Sequence, residues 1–274
     1  MGNLAKNRLQ GIRRILLTVA FFIFFGLAIF SAAQIILDLR DYIASENEYE
    51  KLRAMWEPPD MAENVVVPAP PVVEDPLPQP QETEVEEEPP AEPIAAAPPS
   101  PPRDPAEVNP QYIGWLKISG TPINYPVAQG ADNDKYLHTS FEGRRSGLGA
   151  IFMDYRCTGD FSGYHSIVYG HNAKNGTMFG SLSRYQNADY MKKNQEITVT
   201  RPDGEKEVWH IFAARKSDIT DPSFRLNFSS PESFAEFAAG LGAPQGVTRI
   251  LTLSTCTSGG SNDERMLVHA AIVE

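Results

Sequence analysis

The acidic, proline-rich stretch at residues 57–105 restricts how this chain can fold more than any other feature. It holds 16 of the chain's 23 prolines, together with 12 acidic residues and one basic residue. Such a composition buries too little apolar surface to fold and favours extended polyproline II conformations. The chain therefore divides into an N-terminal part, a disordered linker predicted at residues 57–108, and one globular domain predicted at residues 109–274.

The charge of the chain is concentrated in that linker. The formal net charge of the whole chain is −11, which equals the excess of acidic residues within the stretch, so the remainder is close to neutral. No basic patch indicates a nucleic-acid partner. The two cysteines, Cys157 and Cys256, are too few for a disulfide framework and do not form a paired metal-binding motif.

An uncharged apolar run, "ILLTVAFFIFFGLAIFSAA", occupies residues 15–33. As a helix these 19 residues would span about 28 Å, close to the thickness of a bilayer core. We predict a cytoplasmic N-terminus at 1–14 and a transmembrane signal-anchor helix at 15–37. Because basic residues precede the apolar run, the positive-inside rule places everything after the helix outside the cell. A cleaved signal peptide is the alternative, but its apolar region would be shorter.

Residues 38–56 carry apolar side chains at helical spacing, which predicts an amphipathic juxtamembrane helix. Such a helix would rest on lipid headgroups or on a partner. The linker that follows could extend to about 150 Å at 3.1 Å per residue. We therefore interpret it as a spacer that lifts the globular domain away from the lipid.

Short apolar segments separated by turns fill residues 109–274 and predict β-strands. They are "YIGWLKI" (112–118), "INYPV" (123–127), "AIFMDY" (150–155), "SIVYGH" (166–171), "EITVT" (196–200), "KEVWHIFAARK" (206–216), "RILTLSTC" (249–256) and "RMLVHAAIVE" (265–274). A serine followed by proline and glutamate predicts a short helix at 230–241. Many short strands with few helices indicate a mostly β fold, either a closed barrel or a sandwich.

Three residues at predicted strand ends are candidates for chemistry. Cys256 ends an apolar strand and precedes the glycine-rich loop "TSGGSNDE", a position that suits a nucleophile better than a buried structural thiol. His171 ends another apolar strand and could serve as its base. Arg265 opens the last strand nine residues after the cysteine, and its guanidinium is suited to hold an oxyanion.

The other four histidines are assigned no catalytic role. His210 and His269 lie inside predicted strands, where a structural role is the ordinary one. His138 lies in the polar stretch "YLHTSFEG", and His165 is placed in the loop "FSGYH".

The sequence resembles the sortase family. The motif "TLSTC" with an arginine nine residues later, and "YGHN" about 85 residues before the cysteine, are similar to those of sortases. The segments "GWLKISGTPINYPVAQGADNDKYL", "GAIFMDYR" and "IVYGHNAKNGTMFGSL" resemble class B members in particular, as does the helix at 230–241. The resemblance covers residues 109–274 and does not extend to the linker.

This resemblance implies an eight-stranded β-barrel cysteine transpeptidase on the outer face of a Gram-positive cell membrane. If the residue roles of the family apply here, Cys256 attacks the Thr–X bond of a C-terminal sorting signal and forms a thioester. His171 transfers protons to the leaving amine and from the incoming one, and Arg265 stabilises the oxyanion or positions the threonine carbonyl. The implied partners are sorting-signal peptides of secreted proteins and an acceptor amine, from a peptidoglycan precursor or a pilin lysine. No cofactor or metal is expected, since no calcium-type ligand set surrounds Asp132 and Asp134.

Five further residues match family positions near the signal-binding groove, namely Asn133, Leu137, Tyr169, Ser254 and Thr255. For Asn133 and Leu137 an ordinary alternative is an Asx turn followed by a core leucine. Class B members commonly pack N-terminal helices against the barrel. The long linker argues against such packing of residues 39–56 here.

Three alternatives remain in other functional classes or families. An L,D-transpeptidase that modifies peptidoglycan usually carries Ser/Thr-His-Gly before its cysteine, whereas Leu-Ser-Thr precedes Cys256. A papain-like protease would have its cysteine before its histidine. A non-catalytic stalked domain that binds surface proteins would not need the reactive residues. Cys157 is either a free thiol or the partner of Cys256 in a regulatory disulfide.

Overall fold

The computed structural model describes residues 2–56, 104–256 and 264–273. The described chain begins with one continuous helix, α1 (Gly2–Trp56), which runs from residue 2 through the predicted segments 1–14, 15–37 and 38–56 without a break. Within it, Leu16–Trp56 contains a window of mean hydropathy 2.4 with none of its residues buried, so it is a candidate membrane span by length and composition. The predicted linker lies outside the described residues from 57 to 103.

Eight strands form a closed β-barrel, and this confirms the predicted fold class. The strands are β1 (Tyr112–Ile118), β2 (Asn124–Gln129), β3 (Ile151–Met153), β4 (His165–His171), β5 (Glu196–Thr200), β6 (Lys206–Asp218), β7 (Val247–Cys256) and β8 (Glu264–Val273). Their order around the barrel is β1-β2-β3-β4-β7-β8-β6-β5. The pairs β2–β3 and β4–β7 are parallel, and the other neighbours are antiparallel.

Among the described residues, three short α-helices accompany the barrel: α2 (Pro105–Val108), α3 (Ala188–Lys193) and α4 (Pro231–Leu241). Helix α2 lies within the segment predicted as linker, so helical structure is present before the predicted domain start at residue 109. Helix α4 begins after Ser230, whose hydroxyl accepts a hydrogen bond from the Ser233 N–H, and it ends before Gly242 in the left-handed conformation. Its apolar side chains cover Ile250 on the outer face of β7; they are Phe234, Phe237, Ala238 and Leu241.

The C-terminal part of α1 packs against the barrel, contrary to the expectation drawn from the linker. Tyr49 and Leu52 are 1% and 2% exposed and belong to the same apolar core as the barrel interior. The Tyr49 hydroxyl donates to the Gly149 carbonyl at 3.2 Å, and its ring meets that of Tyr125 edge to face. The partner predicted for this amphipathic helix is therefore the barrel itself.

Polar contacts fix the position of α1 on the segment 142–149. The carboxylate of Glu48, itself buried, accepts hydrogen bonds from the Glu142 N–H and from Arg144 Nη2, both at 2.8 Å. The hydroxyls of Ser45 and Ser146 are 2.8 Å apart. A buried carboxylate is tolerated only where donors meet it, so these bonds specify where on the barrel α1 can lie.

The two described ends of the chain around the linker both lie at β1. The Trp56 ring contacts the rings of Tyr112 and Trp115, and the chain resumes at Asp104, which caps α2 directly before β1. The length of the linker therefore does not set the distance between α1 and the barrel. The interpretation of this stretch as a spacer of up to about 150 Å between the two is wrong.

A row of buried polar side chains crosses the outer face of β4, β7 and β8, and it corrects the placement of His165 in a loop. His165 begins β4 and is 4% exposed. Its Nδ1 lies 2.7 Å from the Arg225 carbonyl and its Nε2 lies 2.7 Å from Thr252 Oγ1, which lies 2.9 Å from His269 Nδ1. Because a carbonyl only accepts, Nδ1 of His165 carries the proton, and its Nε2 then accepts from the Thr252 hydroxyl.

Burial keeps His165 and His269 neutral. Desolvation lowers the pKa of His165 to about 4 and that of His269 to about 3, with the nearby Arg215 charge contributing to the second shift. In the unfolded chain both histidines take up a proton near pH 6.5, whereas in the folded chain they do so only near pH 4 and pH 3. Lowering the pH from about 6.5 therefore favours the unfolded state.

We therefore expect the free energy of unfolding to fall as the pH drops from about 6.5 to 4, by up to about 1.4 kcal/mol per pH unit for each fully linked histidine. Thermal unfolding across this range should show a flatter pH dependence in His269→Gln, which cannot titrate. Equal slopes in the wild type and in His269→Gln would contradict the assignment.

The packing of α1 predicts a second stability effect. Leu52→Ala removes a fully buried side chain between α1 and the barrel and should cost about 2–5 kcal/mol. Ile43→Ala, on the same helix with its side chain 49% exposed, should cost less than about 0.5 kcal/mol. Thermal unfolding of the full chain in detergent measures both, and an equal effect of the two substitutions would argue against the described packing.

Candidate active site

The C-terminal ends of β4 and β7 lie side by side at one edge of the barrel. The two strands are parallel, and their register pairs Tyr169 with Ser254 and His171 with Cys256. His171 and Cys256 are the last residues of their strands, so their backbones lie about one strand spacing apart, close to 4.8 Å. The structure thus brings together two residues separated by about 85 positions in the sequence.

Arg265 approaches the same edge from the other side of β7. Strand β8 is antiparallel to β7, and its register pairs Ser254 with Leu267. Continuing that register by two residues brings Arg265 opposite Cys256, and the Met266 N–H donates to Thr255 Oγ1 at 2.9 Å between them. His171, Cys256 and Arg265 therefore occupy one row across three neighbouring strands.

The environment of His171 favours its neutral form. Its side chain is half-buried, and this desolvation lowers its pKa. A neutral imidazole can accept a proton near neutral pH and return it later in a reaction. The row thus contains a base, a thiol-bearing residue and a permanent positive charge.

An open depression of about 370 Å³ extends from this row. It is lined by Asn133, Leu137, Phe152, Arg156, Tyr169, Ile219, Phe224 and Arg265. Three of the five predicted substrate-binding residues and the predicted arginine thus line one surface. A concave, largely apolar site with a few polar groups is typical of a binding site for a peptide or small ligand.

The structure settles the local conformations proposed for Asn133 and Leu137. The Asx turn is formed by Asp132, whose Oδ1 accepts from the N–H groups of Asp134 and Lys135. Asn133 turns instead toward the depression, where its Nδ2 donates to Asp154 Oδ2 at 3.1 Å. Leu137 is half-buried at the end of a 3₁₀ turn and lines the depression as well.

Ser254 and Thr255 are placed differently from these residues. Both are buried, at 0% and 2% exposure, in the wall formed by β7 and β8. The Thr255 hydroxyl accepts from the Met266 N–H and so ties the two strands together beside the row. A direct role of the two side chains in substrate binding stays a prediction.

Asp154, a buried carboxylate behind the depression, is not among the residues predicted from the sequence. It is 0% exposed and accepts hydrogen bonds from Asn133, Tyr169 and Arg156. Burial alone would raise its pKa, but the bonds from Arg156 and Asn133 outweigh that effect and the pKa is lowered. The signal available in the sequence was an acidic residue directly after the strand and two positions before an arginine, in "MDYR". Ile219 and Phe224, also not predicted, come from the connection after β6.

Cys157 lies far from this row. Its thiol is half-buried, 3.8 Å from the His165 carbonyl, and burial raises its pKa to about 12. His165 and His171 stand at opposite ends of β4, six residues or about 20 Å apart. A disulfide requires Cα atoms within about 7 Å, so the hypothesised Cys157–Cys256 bond is incompatible with this fold.

The amino-acid sequence matches a family model described as the sortase domain over residues 116–273. It is 32% identical to sortase B of Staphylococcus aureus over 178 residues, which cover 61% of this chain and 72% of that protein. It is 31% identical to sortase B of Listeria monocytogenes over 181 residues, which cover 62% of this chain and 73% of that protein.

Solved structures of the same kind share the fold. A Staphylococcus aureus sortase B–substrate complex matches with a TM-score of 0.58 and 31% identity, covering 62% of this chain and 83% of that chain. Sortase B from Bacillus anthracis in complex with AAEK2 matches with a TM-score of 0.55 and 29% identity, covering 61% and 80%. The chain belongs to the sortase family, within class B, and is a cysteine transpeptidase of the sortase type.

Proposed function

We propose that this chain cleaves the C-terminal sorting signal of secreted proteins after threonine. It then transfers the acyl group to an amine of a cell wall precursor or of a pilin. The observation that carries this proposal is the row of His171, Cys256 and Arg265 beside a depression large enough for a peptide segment. Staphylococcus aureus sortase B, a structural relative, has been solved as a substrate complex, which supports substrate binding by this chain as well.

The first half of the proposed reaction forms a thioester. His171 accepts the thiol proton of Cys256, and the thiolate attacks the carbonyl carbon of the Thr–X bond. The guanidinium of Arg265 stabilises the negative oxygen of the tetrahedral intermediate. Collapse breaks the C–N bond, and the departing amine takes the proton from His171. The lowered pKa of His171 suits this role, because the neutral base predominates before attack.

The second half reverses the proton transfers. The acceptor amine attacks the thioester carbonyl and gives a proton to His171, and the C–S bond then breaks. The proton returns from His171 to the Cys256 thiolate, which restores the starting enzyme. Because water would hydrolyse the thioester, the bound signal must exclude it until the amine arrives.

Asn133, Leu137 and Tyr169 are the residues that we propose contact the signal peptide. All three line the depression, and they combine a polar amide, an aliphatic surface and an aromatic ring. An extended peptide presents alternate side chains to such a surface, so the depression would bind side chains on the acyl side of the scissile bond.

The proposed location is the cell membrane of a Gram-positive bacterium, with a single span, a cytoplasmic N-terminus and the barrel outside. The basic residues before the apolar run and the exposed apolar side chains of α1 support this orientation. Contact with the core shared with the barrel begins at Tyr42, five residues or about 8 Å after the predicted membrane segment ends at residue 37. The barrel would therefore be held close to the membrane surface.

The test is an acyl-enzyme assay on the full chain in detergent, because a truncated barrel would expose the surface that Tyr49 and Leu52 cover. Intact-mass spectrometry with a library of threonine-containing sorting peptides should detect an adduct that an added amine releases. Cys256→Ala should form none, whereas the matched control Cys157→Ala should react like the wild type. Arg265→Lys should slow adduct formation by about 10²–10³-fold, the range for loss of one oxyanion donor.

The opposite result has a clear meaning. A folded wild-type chain with a free Cys256 thiol that forms no adduct with any peptide would contradict the proposal. So would an adduct that persists in Cys256→Ala.

A further inference from the structure

We propose that Asp154 is a positioning residue. It orients the side chains that contact the peptide in the depression (hereafter the groove) without touching the substrate. The inference rests on the proposed function of that groove. It concerns how Asn133 and Tyr169, which come from separate parts of the chain, are held in one arrangement.

The backbone of Asp154 is fixed between two strands. The residue directly follows β3, and its N–H donates to the Ile167 carbonyl of β4 at 2.9 Å. Its side chain is fully buried and is absent from the residues that line the depression. Asp154 therefore lies behind the groove wall and can act on a bound peptide only through its neighbours.

Five donors from three residues converge on the two carboxylate oxygens. Oδ1 accepts from the Arg156 N–H at 3.0 Å and from Arg156 Nε at 2.9 Å. Oδ2 accepts from Asn133 Nδ2 at 3.1 Å, from the Tyr169 hydroxyl at 3.0 Å and from Arg156 Nη2 at 2.8 Å. Asn133 and Tyr169, two of the three side chains proposed to contact the signal, thus depend on the same oxygen atom.

The amide of Asn133 is held from both sides. While its Nδ2 donates to Asp154, its Oδ1 accepts from the Tyr155 N–H at 3.0 Å. These two bonds exclude the flipped amide, because a flip would set two donors against each other at Tyr155 and two acceptors at Asp154. The donor and acceptor pattern that a peptide meets at Asn133 is therefore fixed before binding, which lowers the entropic cost of recognition.

Arg156 compensates the buried charge of Asp154. Its guanidinium makes a two-pronged contact with the carboxylate, yet 48% of its side chain is exposed and it lines the depression. Removing the carboxylate would thus release three groove-lining side chains together: Asn133, Arg156 and Tyr169.

The isosteric substitution Asp154→Asn removes some of these hydrogen bonds and keeps the others. An asparagine offers one oxygen and one NH₂ group, so its NH₂ must face either the N–H and Nε of Arg156 or the donors of Asn133, Tyr169 and Arg156 Nη2. Either orientation sets donors against donors, and a bonded pair is lost while the size of the side chain is unchanged. Asp160→Asn is the matched control, because Asp160 is an exposed aspartate that caps the nearby turn through Ser162.

The experiment compares wild type, Asp154→Asn and Asp160→Asn as full chains in detergent, with the sorting peptide that gives the wild-type adduct. We expect Asp154→Asn to raise KM about tenfold or more, the effect of unpairing buried donors, with kcat changed less than about twofold. Alkylation of Cys256 by iodoacetamide, which does not need the groove, should keep its wild-type rate. Asp160→Asn should match the wild type in all three measurements.

A double-mutant cycle separates positioning from a general structural role. If Asp154 acts through Asn133 and Tyr169, the KM effect of Asp154→Asn should nearly vanish in the Asn133→Ala/Tyr169→Phe background. Additive effects, or an alkylation rate that falls together with peptide affinity, would overturn the inference. If Asp154→Asn does not fold, Tyr169→Phe removes one bond and leaves the ion pair intact. It should raise KM alone, and an unchanged KM would overturn the inference.

Crystal structures of the variants decide the point independently of activity. In Asp154→Asn, the Asn133 amide or the Tyr169 ring should leave its wild-type position, and in Tyr169→Phe the ring should shift. Wild-type positions for both side chains would overturn the positioning role. Absence of any wild-type adduct would instead contradict the proposed function, so the two failures are distinguishable.

Discussion

The parallel pairing of β4 with β7 is the constraint on which the site depends. It places His171 level with Cys256, and a slip of one residue would send Tyr169 and His171 to the barrel interior. Gly170 prevents such a slip, because a Cβ at this position would lie 2.5 Å from Ile151 Cδ1 and within 2.6 Å of the Phe179 ring. Only glycine fits where β4 crosses the packed interior at this level, so close packing inside the barrel determines the register of His171 and Cys256 on its outer face.

Strand and site positions could be predicted where the signal is local. The segments 112–118 and 196–200 match β1 and β5 residue for residue, because alternating apolar side chains mark a barrel strand directly. The ends of two apolar runs likewise placed His171 and Cys256 at one edge.

Contacts between distant segments could not be predicted in this way. Asp154 gains its role from Asn133, 21 residues earlier, and from Tyr169, 15 residues later. Hydrophobic periodicity carries no information on such partners. The docking of α1 was hidden for the same reason, since the composition of a linker does not reveal where the chain returns.

Two buried carboxylates hold the same wall of the groove from opposite sides. Glu48 of α1 fixes residues 142 and 144, and this segment leads to Gly149. Gly149 lies against the backbone of the turn that carries Leu137, since a Cβ at Gly149 would be only 2.2 Å from the Tyr136 carbonyl oxygen. The N–H of the following residue, Ala150, donates to the same carbonyl at 2.9 Å. Helix α1 therefore supports the turn that carries Leu137.

Asp154 fixes the other side of this wall, where Asn133 and Tyr169 lie. Burying a carboxylate is unfavourable unless its donors are in place, so each of the two acidic residues selects one loop conformation more than it adds stability. The groove wall is thus specified by charge and hydrogen bonding at both margins and by apolar packing between them. Helix α1 and the lining of the depression share this wall, so the position of α1 on the barrel and the shape of the depression are set together.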